Sequence, residues 1–430
     1  MINAISFDAN QNRNDADKIG SNTSSANRIM SRCDQLQKIS SRKETYFRAY
    51  LTPEHRQAAD KIMRWMRAAG MLARMDPAGN VVGRYEGVNP GAPAVVLASH
   101  FDTVRDAGRY DGVLGILTAI ECIAAIRDRR RRFPFALEVY GFADEEGARF
   151  SISFIGSRAM AGLLKDQDLA KTDIDGITLA EALQNFGLSS TRIFEAARQS
   201  DEMLAYFELH IEQGPRLQSE SLSVGAVTGI QGQTFATCTF KGRAGHAGTV
   251  PMDLRRDGLL GSAEAVLAIE KIASKEADIV ATVGRITVEP GAANVIPGRV
   301  IFSIDLRSPS NSRRNLAWWK IRESLEAIAR RRRLTVEFIP IMSQDPVSCD
   351  PRLTDMVAEA CGEVTGRAFR MMSGAGHDAE IMASLCPMAM IFVRCKNGIS
   401  HHPDEAVISA DVTDGYRTLL LTIDKFAAAL

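Results

Sequence analysis

The stretch 99-SHFDTVRDAGRYDGVLG-115 decides how the chain is read. It places His100 and Asp102 at the end of an apolar run and Asp111 just ahead of a helix-like run. A histidine, an acid two residues on and a second acid after a short loop form the donor set that a divalent ion takes at a strand end. The plainer reading makes His100 a strand-end residue and Asp111 a helix N-cap. The stretch alone leaves both open, and the rest of the chain decides between them.

Outward from this stretch, strand and helix alternate. Asn80–Tyr85, Ala94–Ser99 and Phe135–Phe142 read as strands, the segment from Pro53 to Gly70 as an amphipathic helix, and Asp111–Ile126 as another helix. That alternation predicts an α/β layer with a mixed, largely parallel sheet between helices. Ligands gather at the carboxyl ends of such strands, where His100 and the acids Asp144–Glu146 fall. Past residue 216 the pattern becomes β-α-β-β-α. It predicts a small α+β domain over 217–331, inserted in a larger domain of residues 26–216 and 332–430. Residues 1–25, rich in Asn, Asp and Ser, read as a flexible N-terminus.

At 430 residues the chain exceeds one small core. With 52 basic and 52 acidic residues its net charge is zero, which disfavours nucleic acid and membrane surfaces as partners. The basic run Arg127–Arg132 follows a helix pattern and reads as a solvated helix end. Seven scattered cysteines without a CxxC pair fit a reduced compartment, and no apolar run spans a bilayer or forms a signal peptide. The location expected is cytoplasmic.

The seven histidines cluster, all but His55 lying beside Gly-rich or acidic motifs. ADEEGARF sets Asp144, Glu145 and Glu146 in a row past a strand, where a cation would offset their repulsion. FELHIEQGP brings His210, Glu212 and Gln213; KGRAGHAGTVPM brings His246; SGAGHDAE brings His377 and Asp378; GISHHPDE brings His401 and His402. Neighbouring side chains diverge, so only one of the last two histidines joins a common site. Phosphate-cradling loops and a serine nucleophile elbow are absent from the sequence.

These motifs, in this order, resemble the dinuclear metal-dependent amidohydrolase and carboxypeptidase (M20-type) superfamily. The branch most similar holds allantoate amidohydrolases, N-carbamoyl-L-amino acid hydrolases and β-ureidopropionases. The resemblance runs from about Asp34 to the C-terminus. It implies a metal-dependent hydrolase with two divalent ions, Mn or Zn, that polarise the scissile carbonyl and acidify a water. It implies His100, Asp111, Glu146, His210 and His401 as metal ligands, with Asp111 bridging. Glu145 would be the general base and Asp102 the acceptor that orients His100. Gln213, His246, Asn294, Arg307 and His377 would meet the substrate, with His246 and Asn294 stabilising the oxyanion and Arg307 clamping a carboxylate. The inserted domain would act as lid and homodimer interface, and the Asp111–Gly112 peptide would be cis. WMRAAGM, GNVVGRYEG and VRCKNGISHHPDE look most like allantoate-type members. The first expected substrate is therefore allantoate, cleaved to ureidoglycine, ammonia and carbon dioxide in purine catabolism. An N-carbamoyl-L-amino acid or N-carbamoyl-β-alanine comes next, then an aminoacylase or exopeptidase substrate. A metal- or ureido-binding protein without turnover is the non-enzymatic alternative, disfavoured because Glu145 is present.

Overall fold

The computed structural model describes residues 24–430. The expectation for residues 1–25 falls almost wholly outside them, and residues 24–37 are helical. The chain forms two units. One comprises the described residues up to Thr228 together with Cys349–Met371 and Gly376–Leu430; the other comprises Gly229–Ser348 and Met372–Ala375.

In the first unit a large sheet runs in the order Leu72–Met75, Val81–Tyr85, Ala136–Phe142, Ala94–His100, Met203–Ile211, Met388–Val393, Val224–Ile230. Its four middle strands, Ala136–Phe142 through Met388–Val393, are mutually parallel, and antiparallel strands flank them. Every residue of Ala94–His100 and Ala136–Phe142 is buried. Strands covered on both faces need apolar side chains on both, which explains why these segments read as continuous apolar runs. The core joins the strands to helices Pro53–Ala68, Val113–Asp128, Pro351–Thr365 and Ser409–Ala428. The fold is thus mixed α/β, as the alternation predicts.

The second unit carries the sheet Ile286–Glu289, Arg299–Ser308, Gly232–Lys241, Thr335–Gln344, and its core includes residues of helices Gly258–Ala273 and Asn311–Arg331. Its limits correct the expected 217–331. Val224–Ile230 starts in the large sheet, paired with Met388–Val393, and Thr335–Gln344 pairs with Gly232–Lys241 rather than resuming the α/β layer.

Two local expectations also change. The N-cap of Val113–Asp128 is Gly112, not Asp111. Among the described residues the cis peptide is Glu289–Pro290, so Asp111–Gly112 is trans. The chain turns at that point through Gly112 itself, at φ 66° and ψ −57°, with Val113 N–H donating to Asp111 C=O at 2.7 Å. This γ-turn suits glycine, and a Cβ there would lie 2.5 Å from the His100 ring.

Candidate metal centre

The parallel strands deliver the site. His100 ends one of them, and His210 lies in its neighbour Met203–Ile211, one residue from the carboxyl end. Their rings stack at 5.6 Å, and the two Nε2 atoms are 3.4 Å apart. Asp111 meets both: its Oδ1 lies 3.5 Å from His100 Nε2 and 3.1 Å from His210 Nε2. Its Oδ2 lies 3.1 Å from His401 Nε2, which is 3.6 Å from Glu146 Oε1. Potential ligand atoms within 4.8 Å of one another occur in His100–Asp111–His210, in Asp111–Glu146–His401 and in His100–Glu145–Glu146. Asp111 therefore belongs to two of these groups, through two different oxygens.

The donors suit divalent ions. Imidazole and carboxylate together make a set for zinc or manganese. Asp111 Oδ1 is buried yet accepts no aligned hydrogen bond, a state that is costly for a protein oxygen unless a cation compensates it. His210 is oriented by Nδ1, 2.9 Å from Ile211 C=O. That leaves Nε2 for the shared cluster.

The electrostatics follow from burial and crowding. Burial opposes a charge on His100, but Glu145, Asp102 and Asp111 outweigh it and raise its pKa well above the usual histidine range. Burial likewise acts to raise Asp111, yet the facing rings of His100, His210 and His401 hold it well below the usual carboxylate range. Burial lifts Glu145 well above that range, and Glu146 and Asp378 add to the lift while His100 opposes it. Burial and Asp111 push Glu146 up to about 7. His401 rises to about 9, chiefly through its bond to Asp111.

The remaining expected residues divide. Asp102 Oδ1 is 3.4 Å from His100 Nδ1, and its main-chain oxygen is nearer, at 3.2 Å. Its carboxylate also accepts from Glu145 N–H at 2.9 Å and Glu146 N–H at 3.0 Å. Asp102 thus holds the two acids as well as the histidine, a role the sequence reading missed. Gln213, at φ 58°, donates from Nε2 to Asp111 Oδ2 at 3.1 Å, so its amide is already engaged with the cluster. His377 is buried, with its ring 4.5 Å from that of His210, and burial lowers its pKa well below the usual range. With Glu208 and His210 it forms a further histidine–carboxylate group. His402 is exposed and accepts from Asp404 N–H, which leaves His401 as the one of the pair in the cluster.

His246, Asn294 and Arg307 belong to the second unit. His246 and Asn294 are exposed and meet where Gly245–His246 pairs with Val295–Ile296. Arg307 presents Nε and Nη2 to the Asp305 carboxylate at 2.8–3.3 Å and donates from Nη1 to Gly374 C=O at 2.6 Å. All seven cysteines are buried and free, and no helix among the described residues is long and apolar enough to cross a membrane.

A parallel-centred α/β layer with histidines and carboxylates converging at its strand ends can hold divalent ions for metal-assisted hydrolysis. A family model described as Peptidase family M20/M25/M40 matches residues 96–425. The N-carbamoyl-L-amino-acid amidohydrolase of Pseudomonas sp. (strain NS671) is 39% identical over 408 residues, covering 94% of this chain and 99% of that protein. The allantoate deiminase of Arabidopsis thaliana is 36% identical over 414 residues, covering 89% of this chain and 79% of that protein. A crystal structure of a hydantoinase/carbamoylase family amidase from Burkholderia multivorans superposes with a TM-score of 0.87 at 34% identity, covering 94% of this chain and 98% of that one. The chain belongs to Peptidase family M20/M25/M40 and is a hydrolase. Enzymes of that family use divalent metal ions.

Proposed function

We propose that this enzyme hydrolyses the ureido C–N bond of an α-ureido acid, releasing ammonia and carbon dioxide. The observation that carries the reading is the Asp111 carboxylate, which shares one oxygen with His100 and His210 and the other with His401. His100, Asp111, Glu146, His210 and His401 would hold two divalent ions, Mn or Zn. Bound there, the ions supply Lewis-acid polarisation of the ureido carbonyl and a more acidic water. Glu145 takes the proton of the attacking water and returns it to the leaving nitrogen. Burial, with Glu146 beside it, raises its proton affinity above that of an ordinary carboxylate. Asp102 fixes the main chain of Glu145 and Glu146 and so keeps base and ligand in register. His246 and Asn294 serve as oxyanion donors. Arg307, pre-oriented by Asp305, takes the substrate carboxylate with its remaining N–H donors. Gln213 and His377 complete the substrate set.

Two substrates share the α-ureido acid group. The 39% identical relative, matched over 99% of its length, favours an N-carbamoyl-L-amino acid. The allantoate deiminase relative and the segments WMRAAGM, GNVVGRYEG and VRCKNGISHHPDE favour allantoate. An ammonia-release assay with added manganese, run across both and N-carbamoyl-β-alanine, tests the reading. Turnover of at least one α-ureido acid, exceeding that of the β-alanine derivative, is expected. Turnover of none of the three removes it. The reading includes a homodimer formed through the Gly229–Ser348 unit. Sedimentation of the fully active enzyme as a monomer would remove that part.

A further inference from the structure

We infer that Glu405 is a positioning residue that sets the aim of Asp111 and thereby the affinity of the site for its divalent ions. Glu405 is 1% exposed and belongs to none of the candidate ligand groups. One of its oxygens, Oε1, accepts from two consecutive main-chain donors, Tyr110 N–H at 2.8 Å and Asp111 N–H at 3.1 Å. The other, Oε2, accepts from the Ser400 hydroxyl at 2.8 Å, and Ser400 precedes His401. One carboxylate therefore ties together two ligand-bearing loops that lie 294 residues apart along the chain.

The hold on Asp111 is complete at the main chain. Its N–H goes to Glu405, and its C=O accepts from Val113 N–H in the γ-turn at Gly112. With both peptide groups fixed, the side chain is directed toward His100, His210 and His401, and only its torsions remain to adjust. The loop before Asp111 closes on Glu405 as well. A Cβ on Gly108 would lie 2.2 Å from Glu405 Cβ and Cδ, so glycine is what allows the carboxylate to seat. On the His401 side, Glu405 N–H donates to His402 C=O at 3.0 Å, which folds the turn back on itself. Partners that orient metal ligands in this way typically alter metal affinity or activity by about 10–100-fold when removed.

The inference rests on Asp111 as a ligand, and the test separates the two claims. Chelator-treated protein is titrated with Co2+ alone, read by its visible absorption and by bound metal per chain, for wild type, Glu405→Ala, Glu405→Gln and Gly108→Ala. The amide of Gln keeps one oxygen for both N–H donors and turns its NH2 toward the Ser400 oxygen, so Glu405→Gln should bind within about threefold of wild type. Glu405→Ala should bind about 10–100-fold more weakly with an altered absorption band. Gly108→Ala, which displaces the carboxylate without removing it, should move in the same direction. If Glu405→Ala does not fold, Gly108→Ala against Glu405→Gln decides. Wild-type affinity and spectrum in the folded Ala variant, or in Gly108→Ala when the former does not fold, overturn the role of Glu405. Failure of wild type to bind Co2+ overturns the metal reading beneath it.

Discussion

His55 and His210 are both buried histidines, at 2% and 1% exposure, and they have opposite chemistry. His55 lies on the helix Pro53–Ala68, packed between Tyr50, Phe101 and Phe186. Its Nδ1 accepts from Leu51 N–H at 3.0 Å, and its Nε2 faces Gly79 C=O at 3.1 Å. Both ring nitrogens are satisfied by main chain, and burial lowers its pKa to about 3. His210 has main-chain satisfaction at Nδ1 only; its Nε2 faces Asp111, and its pKa is raised despite burial. Burial alone does not mark a functional histidine. What marks it is a nitrogen left facing a buried carboxylate oxygen, Asp111 Oδ1, that accepts no aligned hydrogen bond.

The contrast predicts a separation between activity and stability. Glu145→Gln, on the His210 side, should cut turnover by about 10²–10⁴-fold while two ions stay bound; ammonia release with metal analysis measures this, and unchanged turnover removes Glu145 as the base. On the other side, His55→Ala should leave Leu51 N–H and Gly79 C=O without partners and open a cavity. A loss of about 2–4 kcal/mol in denaturant unfolding is expected, with activity per folded molecule unchanged. A drop in specific activity without loss of stability would erase the contrast.

The third expectation concerns pH. His55 has a folded pKa of about 3 against 6.5 for an ordinary histidine, so below 6.5 the unfolded chain binds the extra proton. Its contribution is therefore full above 6.5 and is lost as pH falls toward 3, amounting to about 3 kcal/mol by pH 4. Unfolding free energies for wild type and His55→Gln should converge over that range, and parallel pH profiles would contradict the assignment. The smallest effect belongs to Asp102→Asn, which keeps one acceptor oxygen and loses the other. Metal affinity or turnover should fall about 10–100-fold, and equal metal titrations for variant and wild type would make its bonds to Glu145 and Glu146 incidental.

Much of the fold was legible in the sequence because parallel strands covered on both faces leave unbroken apolar runs, as Ala94–His100 and Ala136–Phe142 do. The histidine–acid clustering likewise pointed to the strand ends that carry His100 and Asp144–Glu146, while the choice of Glu146 over its neighbours and of His401 over His402 came from the family resemblance. Features set by distant partners were not legible. The second unit begins at Gly229 because the strand Val224–Ile230 finds its partner in Met388–Val393, a choice that local pattern does not encode. Asp111 is not the N-cap because its side chain turns to three histidines from three other segments. Glu405 was only a letter in GISHHPDE, since the two main-chain donors that it accepts from, Tyr110 and Asp111, lie 295 and 294 residues away.

The central claim is that the Asp111 cluster is a divalent-ion site on which hydrolysis depends. The most direct measurement follows ammonia release from an α-ureido acid as Mn2+ is returned to chelator-treated enzyme, with metal per chain counted in the same samples. No turnover without metal, and recovery that saturates at two ions per chain, is expected. Full turnover in protein shown by elemental analysis to hold no stoichiometric transition metal would contradict it.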